Sequence, residues 1–403
     1  MNTEKKFFHS NTAIVTLFAA CFVVLISLGV RQTFGLFFID FNESLNISNT
    51  AFGFAIGTQM LMWGLTGPIF GAIADRFGGH VAIISSFLFY TLGVYFLYSG
   101  PNTGIFFQIH LGLLIGIGLG GTAISIPMSI VGKHFPLSNR TIAMSIVTAV
   151  GSFGYFISPI FTNYSLIEYG WNYTLFLFSL FLVTGLIAAF FVRSPKENEI
   201  VENRSDQSFK EALSEAFKSK SYILLVSGFF VCGFHITLVG THVPKYVIDR
   251  GLEDWTAAAI LSLIGLFNIF GSLLSGYLST KISKKVLLSA IYLLRGFSIA
   301  FFIFTPPSVL SAFIFGASFG FLWLSTVPAT SGIVAHLFGT KYLGLLYGIV
   351  FLSHQIGSFF GAYLGGLFHD LYGSYDYAWY LAILLSIFAA IIHLPIIEKP
   401  VER

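Results

Sequence analysis

Long apolar stretches separated by short polar ones run along almost the whole chain. Ala13–Ile39, Ile105–Val131 and Tyr377–Ile397, for example, contain few or no charged residues. A helix crosses the roughly 30 Å of hydrocarbon in a bilayer with about 20 such residues. The pattern therefore predicts an all-α membrane protein whose helices span the bilayer many times.

We predict twelve transmembrane helices from this pattern, joined mostly by short loops. Only one long polar stretch, Ser194–Ser221, interrupts the series, and its apolar residues have the spacing of a short amphipathic surface helix. We therefore expect an N-terminal six-helix bundle (1–193), a cytoplasmic linker (194–221) and a C-terminal six-helix bundle (222–403). The approximate helix bounds are 12–39, 50–74, 80–99, 104–132, 140–163, 173–193, 222–246, 255–279, 286–305, 308–335, 342–367 and 375–397.

Composition agrees with a protein whose surface faces lipid. Hydrophobic residues make up 55% of the chain and charged residues 10%, whereas soluble domains have about 25% charged residues. Cys21 and Cys232 both lie in apolar stretches, so we expect small buried side chains and no disulfide framework. No spacing of metal ligands and no phosphate-binding lysine loop is present, so we predict no metal, no cofactor, no ATP and no nucleic-acid partner.

The basic residues are distributed unequally between the two sides of the predicted membrane. If the N-terminus is cytoplasmic, seventeen of the 21 Lys and Arg residues lie in cytoplasmic segments and only Lys245 and Arg250 lie outside. This positive-inside bias predicts that both termini are cytoplasmic and that the protein is a multi-pass protein of the inner (plasma) membrane. The other two basic residues, Arg31 and Arg295, fall within predicted helices.

The two predicted bundles resemble each other at an offset of about 204 residues. Gly29-Val-Arg31-Gln-Thr33 matches Gly233-Phe-His235-Ile-Thr237, and further segments of helices four, five, ten and eleven match in the same order. Duplicated six-helix halves are typical of transporters that bind their solute between the halves. The repeat therefore favours a transporter over an enzyme or a receptor.

A glycine-rich loop with an acid–base pair joins predicted helices two and three. It reads Gly71-Ala-Ile-Ala-Asp75-Arg76-Phe-Gly78-Gly79, and with the six-plus-six layout it resembles the cytoplasmic signature loop of the major facilitator superfamily. The resemblance covers the whole chain. It implies that Gly71, Asp75, Arg76 and Gly78 belong to a cytoplasmic gate. The equivalent segment 276–281 keeps a glycine and a base but lacks the acid, which implies a weaker second latch.

Two segments resemble a particular branch of that superfamily. Gly29–Phe37 in helix one and Ser353–Gly361 in helix eleven, together with Tyr292–Arg295, are similar to the monocarboxylate-transporter-like and oxalate–formate-antiporter-like branch. This resemblance implies a small organic anion as the substrate, often moved with a proton. The acid–base pair that mammalian-type monocarboxylate carriers have in helix eight is absent, because Ala257–Ser279 contains no charged residue.

Arg31 is the main candidate for binding such an anion. A charge in the membrane core is costly and needs a partner or a function, and no carboxylate is predicted there. An anionic substrate would be a suitable partner for a buried guanidinium group. The alternative is that backbone carbonyl groups, or Asp40, satisfy Arg31.

Further candidates lie on other predicted helices, and one of them, Arg295, is on helix nine, which the family resemblance places outside the ring of cavity-lining helices. His235 is the counterpart of Arg31 and is expected to bind the anion or a proton, or else to be a neutral core histidine. Arg295 would supply a second cation if it faced inward, although a structural role is favoured. His354 and Gln355 lie beside a glycine stripe and either face the cavity or bridge to helix two. Four more residues are expected to line the cavity: Gln59, Asn268, Tyr155 and Trp323.

The sequence thus predicts a secondary transporter that moves a small organic anion by rocker-switch alternating access, coupled to a proton or to exchange for a second anion, and that functions as a monomer. Two alternatives stay open at this point. The first is efflux of a lipophilic or cationic compound, which the lack of a membrane-embedded acid disfavours. The second is a membrane sensor with the fold of a carrier, which would bind its ligand without transporting it.

Overall fold

The computed structural model describes residues 11–194, 208–339 and 341–401. All regular secondary structure in these ranges is helical. The helix bounds, with labels α1 to α12 for the long helices, are α1 Asn11–Leu45, α2 Asn49–Phe77, α3 Gly79–Ser99, α4 Ile105–His134, α5 137–169, α6 171–189, α7 Lys220–Asp249, α8 Asp254–Leu278, α9 Lys284–Phe304, α10 Val309–Phe338, α11 Leu343–Tyr372 and α12 Asp376–His393.

Ten segments of the described chain are long and apolar enough to cross a membrane. One of them contains both α5 and α6, which form a continuous helical segment with a sharp kink at Gly170, where φ is 78°. A further helix, α2, has 29 residues, which is sufficient length, but it is rich in glycine and less apolar than the others. The all-helical prediction is confirmed, whereas the count of twelve spans and the cytoplasmic placement of the termini stay predictions.

Three of the long helices are interrupted, although the sequence pattern predicted continuous ones. In α1 a 3₁₀ turn, Phe34–Phe37, separates two α-helical segments. Helix α4 is broken at 123–124 and α10 at 323–325, and Pro127 and Pro328 follow these breaks. A proline cannot donate to the carbonyl group four residues earlier, and its ring crowds that group. The two prolines therefore account for matching breaks in the two halves.

The buried apolar residues form one core in each half of the chain. One core runs from Ala13 to Val192, with Ala362 added, and the other runs from Ala216 to Ile396. Matching contacts hold the two cores: Gly29 packs against Ser158 of α5, and Gly233 packs against Ser358 of α11. This arrangement agrees with the predicted pair of six-helix bundles.

A short helix lies in the linker, where the amphipathic pattern predicts one. It spans Phe209–Lys218, and a capping box between Ser208 and Glu211 stabilises its start. Hydrogen bonds from the backbone N–H and hydroxyl groups of Ser208 lower the pKa of Glu211. Residues 195–207 of the predicted linker lie outside the described residues, and the predicted limits of the two halves stay predictions.

The halves are in tight contact at one end of the helices. On α2, Gly53 packs against the carbonyl group of Ala362 in α11, and in α1 Gly35 packs against the carbonyl group of Gly240 in α7. Small residues allow helix backbones to approach this closely. This end is the outward end if the predicted orientation holds.

Four glycines toward the opposite ends of their helices have more space. A Cβ atom added at Gly71 of α2, Gly276 of α8, or Gly344 or Gly348 of α11 would meet nothing within 4 Å. Close contacts like those of Gly35 and Gly53 are therefore not made at these positions.

Candidate functional site

Arg31 lies at the end of the first helical segment of α1, next to the interruption of that helix. Its side chain crosses to α2, where Nη2 is 3.2 Å from the Sδ atom of Met60 and the guanidinium group is 5.6 Å from the centroid of the Trp63 ring. The hydroxyl group of Tyr155 on α5 is also close to the guanidinium group. Arg31 is thus held by an aromatic and a sulfur-containing wall rather than by an anion.

This environment leaves most of the hydrogen-bonding capacity of Arg31 unused. A guanidinium group has five N–H donors, and a thioether sulfur is only a weak acceptor. Within the described chain, neither Asp40 nor a backbone carbonyl group forms a hydrogen bond or ion pair with Arg31. The side chain is partly exposed. The position of Arg31 therefore suits the binding of an anion from the cavity.

A small enclosed cavity lies beside Arg31, between α1, α2 and α7. Its volume is about 20 Å³, which is room for about one water molecule and not for a carboxylate ligand. Gln59 lines it and donates a hydrogen bond of 3.0 Å to the carbonyl group of Leu111 in α4. In this conformation the small cavity therefore cannot hold a solute larger than water.

Arg295, in contrast, is fully buried and its donors are occupied. Nε and Nη2 donate to the carbonyl group of Leu322 at 3.1 and 2.7 Å, and Nη2 also donates to that of Trp323 at 2.6 Å. The break in α10 frees these carbonyl groups. Arg295 therefore has a structural role in this conformation, and the expectation of a second cation for the substrate is not supported.

His235 does not face Arg31, although the two residues match in the repeat. Its ring is fully buried, and Nε2–H donates a hydrogen bond of 2.8 Å to the carbonyl group of Ala382 in α12. Helix α12 lies on the far side of α7 from the cavity between the halves. The structure thus corrects the expectation of a symmetric Arg31–His235 pair around one ligand.

His354 and Gln355 lie on α11, where that helix meets α2 and α7. The two side chains are 3.0 Å apart, from Nδ1 to Oε1, and Gln355 packs against Gly64. The ring of His354 stacks on that of Phe351, with 5.7 Å between centroids, and Phe351 in turn contacts Trp63. A chain of aromatic contacts therefore connects His354 of one half to Arg31 of the other.

The remaining polar candidates join helices rather than line open space. Asn268 donates to Ser152 of α5 at 3.0 Å and accepts from the N–H group of Leu324 at the break in α10. Trp323 is buried at the same break, with its ring next to Gly240. Of this group, only Tyr155 lies beside Arg31.

Three residues near this site were not predicted from the sequence: Met60 and Trp63, which contact Arg31, and Phe351, which contacts Trp63. Positions four apart on a helix share a face, and Trp63 follows the candidate Gln59 by four. That spacing could have identified Trp63 from the sequence. Met60 directly follows Gln59, but the four-residue spacing does not mark it. Nothing comparable marks Phe351 among the many phenylalanines of the chain.

The predicted gate loop forms its contacts within the first half. Asp75 pairs with Lys133 at the end of α4, with 3.0 Å between Oδ1 and Nζ. Arg76 lies over the ring of Phe77, and Gly78 ends α2 with a φ of 97°, which favours glycine. The described contacts of Asp75 and Arg76 therefore do not join the two halves in this conformation.

A different set of contacts between the halves, which the sequence did not predict, lies at the opposite end of the helices. Asp370 of α11 accepts hydrogen bonds from the N–H groups of Asn49 and Thr50 at the start of α2, at 3.3 and 2.7 Å, and one of 2.7 Å from the side chain of Asn49. The hydroxyl group of Tyr375 donates to Asn49 at 2.9 Å. These contacts connect the two halves directly.

Two helical halves with a membrane-embedded cation between them are typical of a membrane solute transporter. The chain belongs to the Major Facilitator Superfamily, whose sequence model matches residues 20–327. This match confirms the family predicted from the signature loop and the repeat. It also assigns the chain to transporters and not to enzymes.

Relatives match nearly the whole chain. It is 24% identical to the uncharacterized MFS-type transporter YcxA of Bacillus subtilis, over 95% of both chains, and 24% identical to monocarboxylate transporter 13 of Rattus norvegicus, over 94% of this chain and 88% of that one. The predicted resemblance to the monocarboxylate branch agrees with the second of these.

Solved structures share the fold. A bacterial homologue of the human lysosomal transporter Spinster, in an inward-facing and unoccupied conformation, matches with a TM-score of 0.77 at 16% identity over 95% of this chain and 96% of that one. A D-xylose–proton symporter matches with a TM-score of 0.73 at 14% identity over 96% and 97%. At these identities the similarity concerns the fold alone.

Proposed function

We propose that the protein is a secondary active transporter that carries a small organic anion with one carboxylate group, and that Arg31 binds that carboxylate. The observation that carries the proposal is the environment of Arg31, a partly exposed guanidinium group whose neighbours are the weak acceptor Met60 and the neutral hydroxyl group of Tyr155. A bidentate carboxylate would supply the strong acceptors that this environment lacks.

A single carboxylate fits the site better than two. Among the described residues of the membrane core, Arg31 and Arg295 are the arginines, and the carbonyl groups of Leu322 and Trp323 already bind Arg295. A dicarboxylate would leave its second charge without a cation. The aromatic side chains of Trp63 and Phe351 suit an apolar body on the ligand.

Transport follows from alternating closure of the two ends. In the proposed cycle, the contacts of Asp370 with Asn49 keep the outward end closed while the cytoplasmic end is open. Binding of the anion neutralises Arg31 and lowers the cost of enclosing it in the membrane. The movement is then coupled to a proton or to exchange for a second anion, in the inner membrane, by a monomer.

The first test is the thermal stability of the purified protein with a panel of monocarboxylates, dicarboxylates, amines and lipophilic cations. A ligand present at 100 times its Kd stabilises the folded state by about 2.7 kcal/mol. We expect monocarboxylates to raise the melting temperature of the wild type. The effect should be lost in Arg31→Gln and unchanged in Arg193→Gln, since Arg193 is exposed at the cytoplasmic end of α6.

Other outcomes of the panel decide against the proposal. Stabilisation by lipophilic cations that is equal in the wild type and in Arg31→Gln would favour efflux of such compounds. The stabilising carboxylate is then tested for uptake into proteoliposomes. Binding without uptake, under both a proton gradient and counter-anion loading, would favour the sensor alternative.

A further inference from the structure

Cys232 lies at the centre of a buried polar cluster that the proposed anion site does not use. The sulfur atom is 3.3 Å from Nη1 of Arg295 and 3.2 Å from the hydroxyl oxygen of Thr326. His354 is also within hydrogen-bonding reach of the sulfur. Cys232 and Arg295 are fully buried, whereas His354 retains 9% of its exposed surface.

The groups around the sulfur are predominantly hydrogen-bond donors. Arg295 can only donate, and the hydroxyl groups of Thr326 and Tyr292 have hydrogen atoms to give. The hydroxyl group of Tyr292 is buried near the sulfur and has no other hydrogen-bonding partner in the described chain. A thiol sulfur is a weak acceptor with one hydrogen of its own, so several donors around a neutral thiol would be poorly satisfied. A thiolate would satisfy them.

Charge balance leads to the same conclusion. Arg295 is a permanent cation in the membrane core, and in the described part of the chain it forms no ion pair with a carboxylate. Carbonyl groups of α10 solvate it but do not neutralise it. Cys232 is the acidic group that lies nearest to its guanidinium group, and a neighbouring arginine favours the ionised form of a cysteine.

We propose that Cys232 is a thiolate that forms a buried ion pair with Arg295, and that this pair is a proton-binding site. Binding forms one S–H bond with a proton taken from water and removes one negative charge from the cluster. His354 is the member of the cluster that retains some exposure, whereas the others are fully buried, so the proton enters there. The ionisable groups around the pair are Tyr292 on α9, His354 and Tyr347 on α11, His235 on α7 and, beside Tyr292, His393 on α12.

The other cysteine of the chain provides a matched control. Cys21 is buried in the apolar part of α1, and no described residue forms a hydrogen bond with it. The Cys21→Ser variant retains Cys232 as its single cysteine and leaves the cluster intact. The Cys232→Ser variant retains only Cys21, which should be an ordinary thiol.

Infrared spectroscopy of the S–H stretching band tests the proposal without any substrate. In Cys21→Ser we expect no S–H band at neutral pH and a band that appears reversibly when the pH is lowered. In Cys232→Ser the band of Cys21 should be present throughout. A band at neutral pH in Cys21→Ser would show a thiol and overturn the proposal. So would its absence at every pH at which the protein stays folded, because the pair would then bind no proton.

Substitution of Arg295 in the Cys21→Ser background separates charge from packing. Arg295→Gln should restore the S–H band at neutral pH, whereas Arg295→Lys should leave it absent; the same spectrum for both folded variants would contradict the ion pair. If neither variant folds, the spectrum of Cys21→Ser alone still decides. None of these measurements involves the anion, so their failure and a failure of the proposed transport function are distinguishable.

Discussion

Asp370 of α11 caps the start of α2 in the opposite half of the molecule, with its carboxylate 2.7 Å from the side-chain nitrogen of Asn49. A carboxylate at a helix N-terminus accepts hydrogen bonds from free N–H groups and interacts favourably with the helix dipole. Because the two residues belong to different halves, this local cap also joins the halves at this end of the helices.

Loss of the charge of Asp370 should loosen the outward end. Asparagine keeps one acceptor oxygen but loses the charge, which contributes about 0.3–1 kcal/mol at a helix N-terminus, so Asp370→Asn should increase the outward-open population about two- to five-fold. A cysteine introduced at Ile56, which lines the enclosed cavity beside Arg31, would report the change through its reaction with an impermeant thiol reagent from outside. Asp376→Asn, on the exposed first turn of α12, should have no effect. Equal labelling in both variants would contradict this role of Asp370.

The ring of Trp63 should matter for affinity even though it carries no charge. A cation–π contact contributes about 0.5–2 kcal/mol, and here it holds the guanidinium group of Arg31 in place. We expect Trp63→Leu to raise the Kd of the best monocarboxylate about five-fold and Trp63→Phe to raise it less, measured by thermal shift across ligand concentrations. Trp255→Leu, at the outward end of α8, is the control. Unchanged affinity in Trp63→Leu would show that Arg31 needs no aromatic support.

The family, the helices and the position of Arg31 could be predicted because each depends on local sequence. The length of each apolar stretch identifies a helix, and a charged residue within such a stretch identifies Arg31 as a candidate. The signature loop around Asp75 identifies the family. Inaccuracies of a few residues at helix ends do not affect these conclusions.

Side-chain direction and broken helices could not be predicted from the same pattern. His235 matches Arg31 in sequence, but the shorter imidazole packs against Ala382, whereas the long arm of the arginine reaches Met60 on α2. A structural role was favoured for Arg295, but its partners could not be predicted because the pattern did not show that α10 breaks at Trp323 and frees carbonyl groups. Pro328 was the signal for that break.

The C-terminal tail should contribute a pH-dependent part of the stability. Burial would raise the pKa of Glu398, but hydrogen bonds from the N–H group of Lys285 and the hydroxyl group of Ser283 outweigh it, so the pKa lies below its ordinary value of 4.5. A lowered carboxylate pKa stabilises the folded state above the ordinary value, and this contribution is lost as the pH falls through the lowered value.

We therefore expect Glu398→Gln to lower the melting temperature at pH 7. The cost should be about 1 kcal/mol or less, because the carboxylate is partly exposed. The difference from the wild type should shrink as the pH falls below 4.5. Glu253→Gln, at the start of α8, is the comparison, because this carboxylate accepts a hydrogen bond from the exposed side chain of Trp255 and none from the backbone of that helix end. A difference that persists at acidic pH would show that the contact does not depend on charge.

The glycines of α2 should set the balance between the two open states. A methyl group at Gly53 would collide with the carbonyl group of Ala362 in α11, at an interface that must separate when the outward end opens. Gly53→Ala should therefore destabilise the conformation described here and favour the outward-open one. Gly71→Ala adds the same methyl group where nothing lies within 4 Å, so it should not strain this conformation. Spin labels on the outward ends of α2 and α11 would measure the change: a longer distance in Gly53→Ala alone is expected, and equal distances in both variants would show that this interface stays packed throughout the cycle.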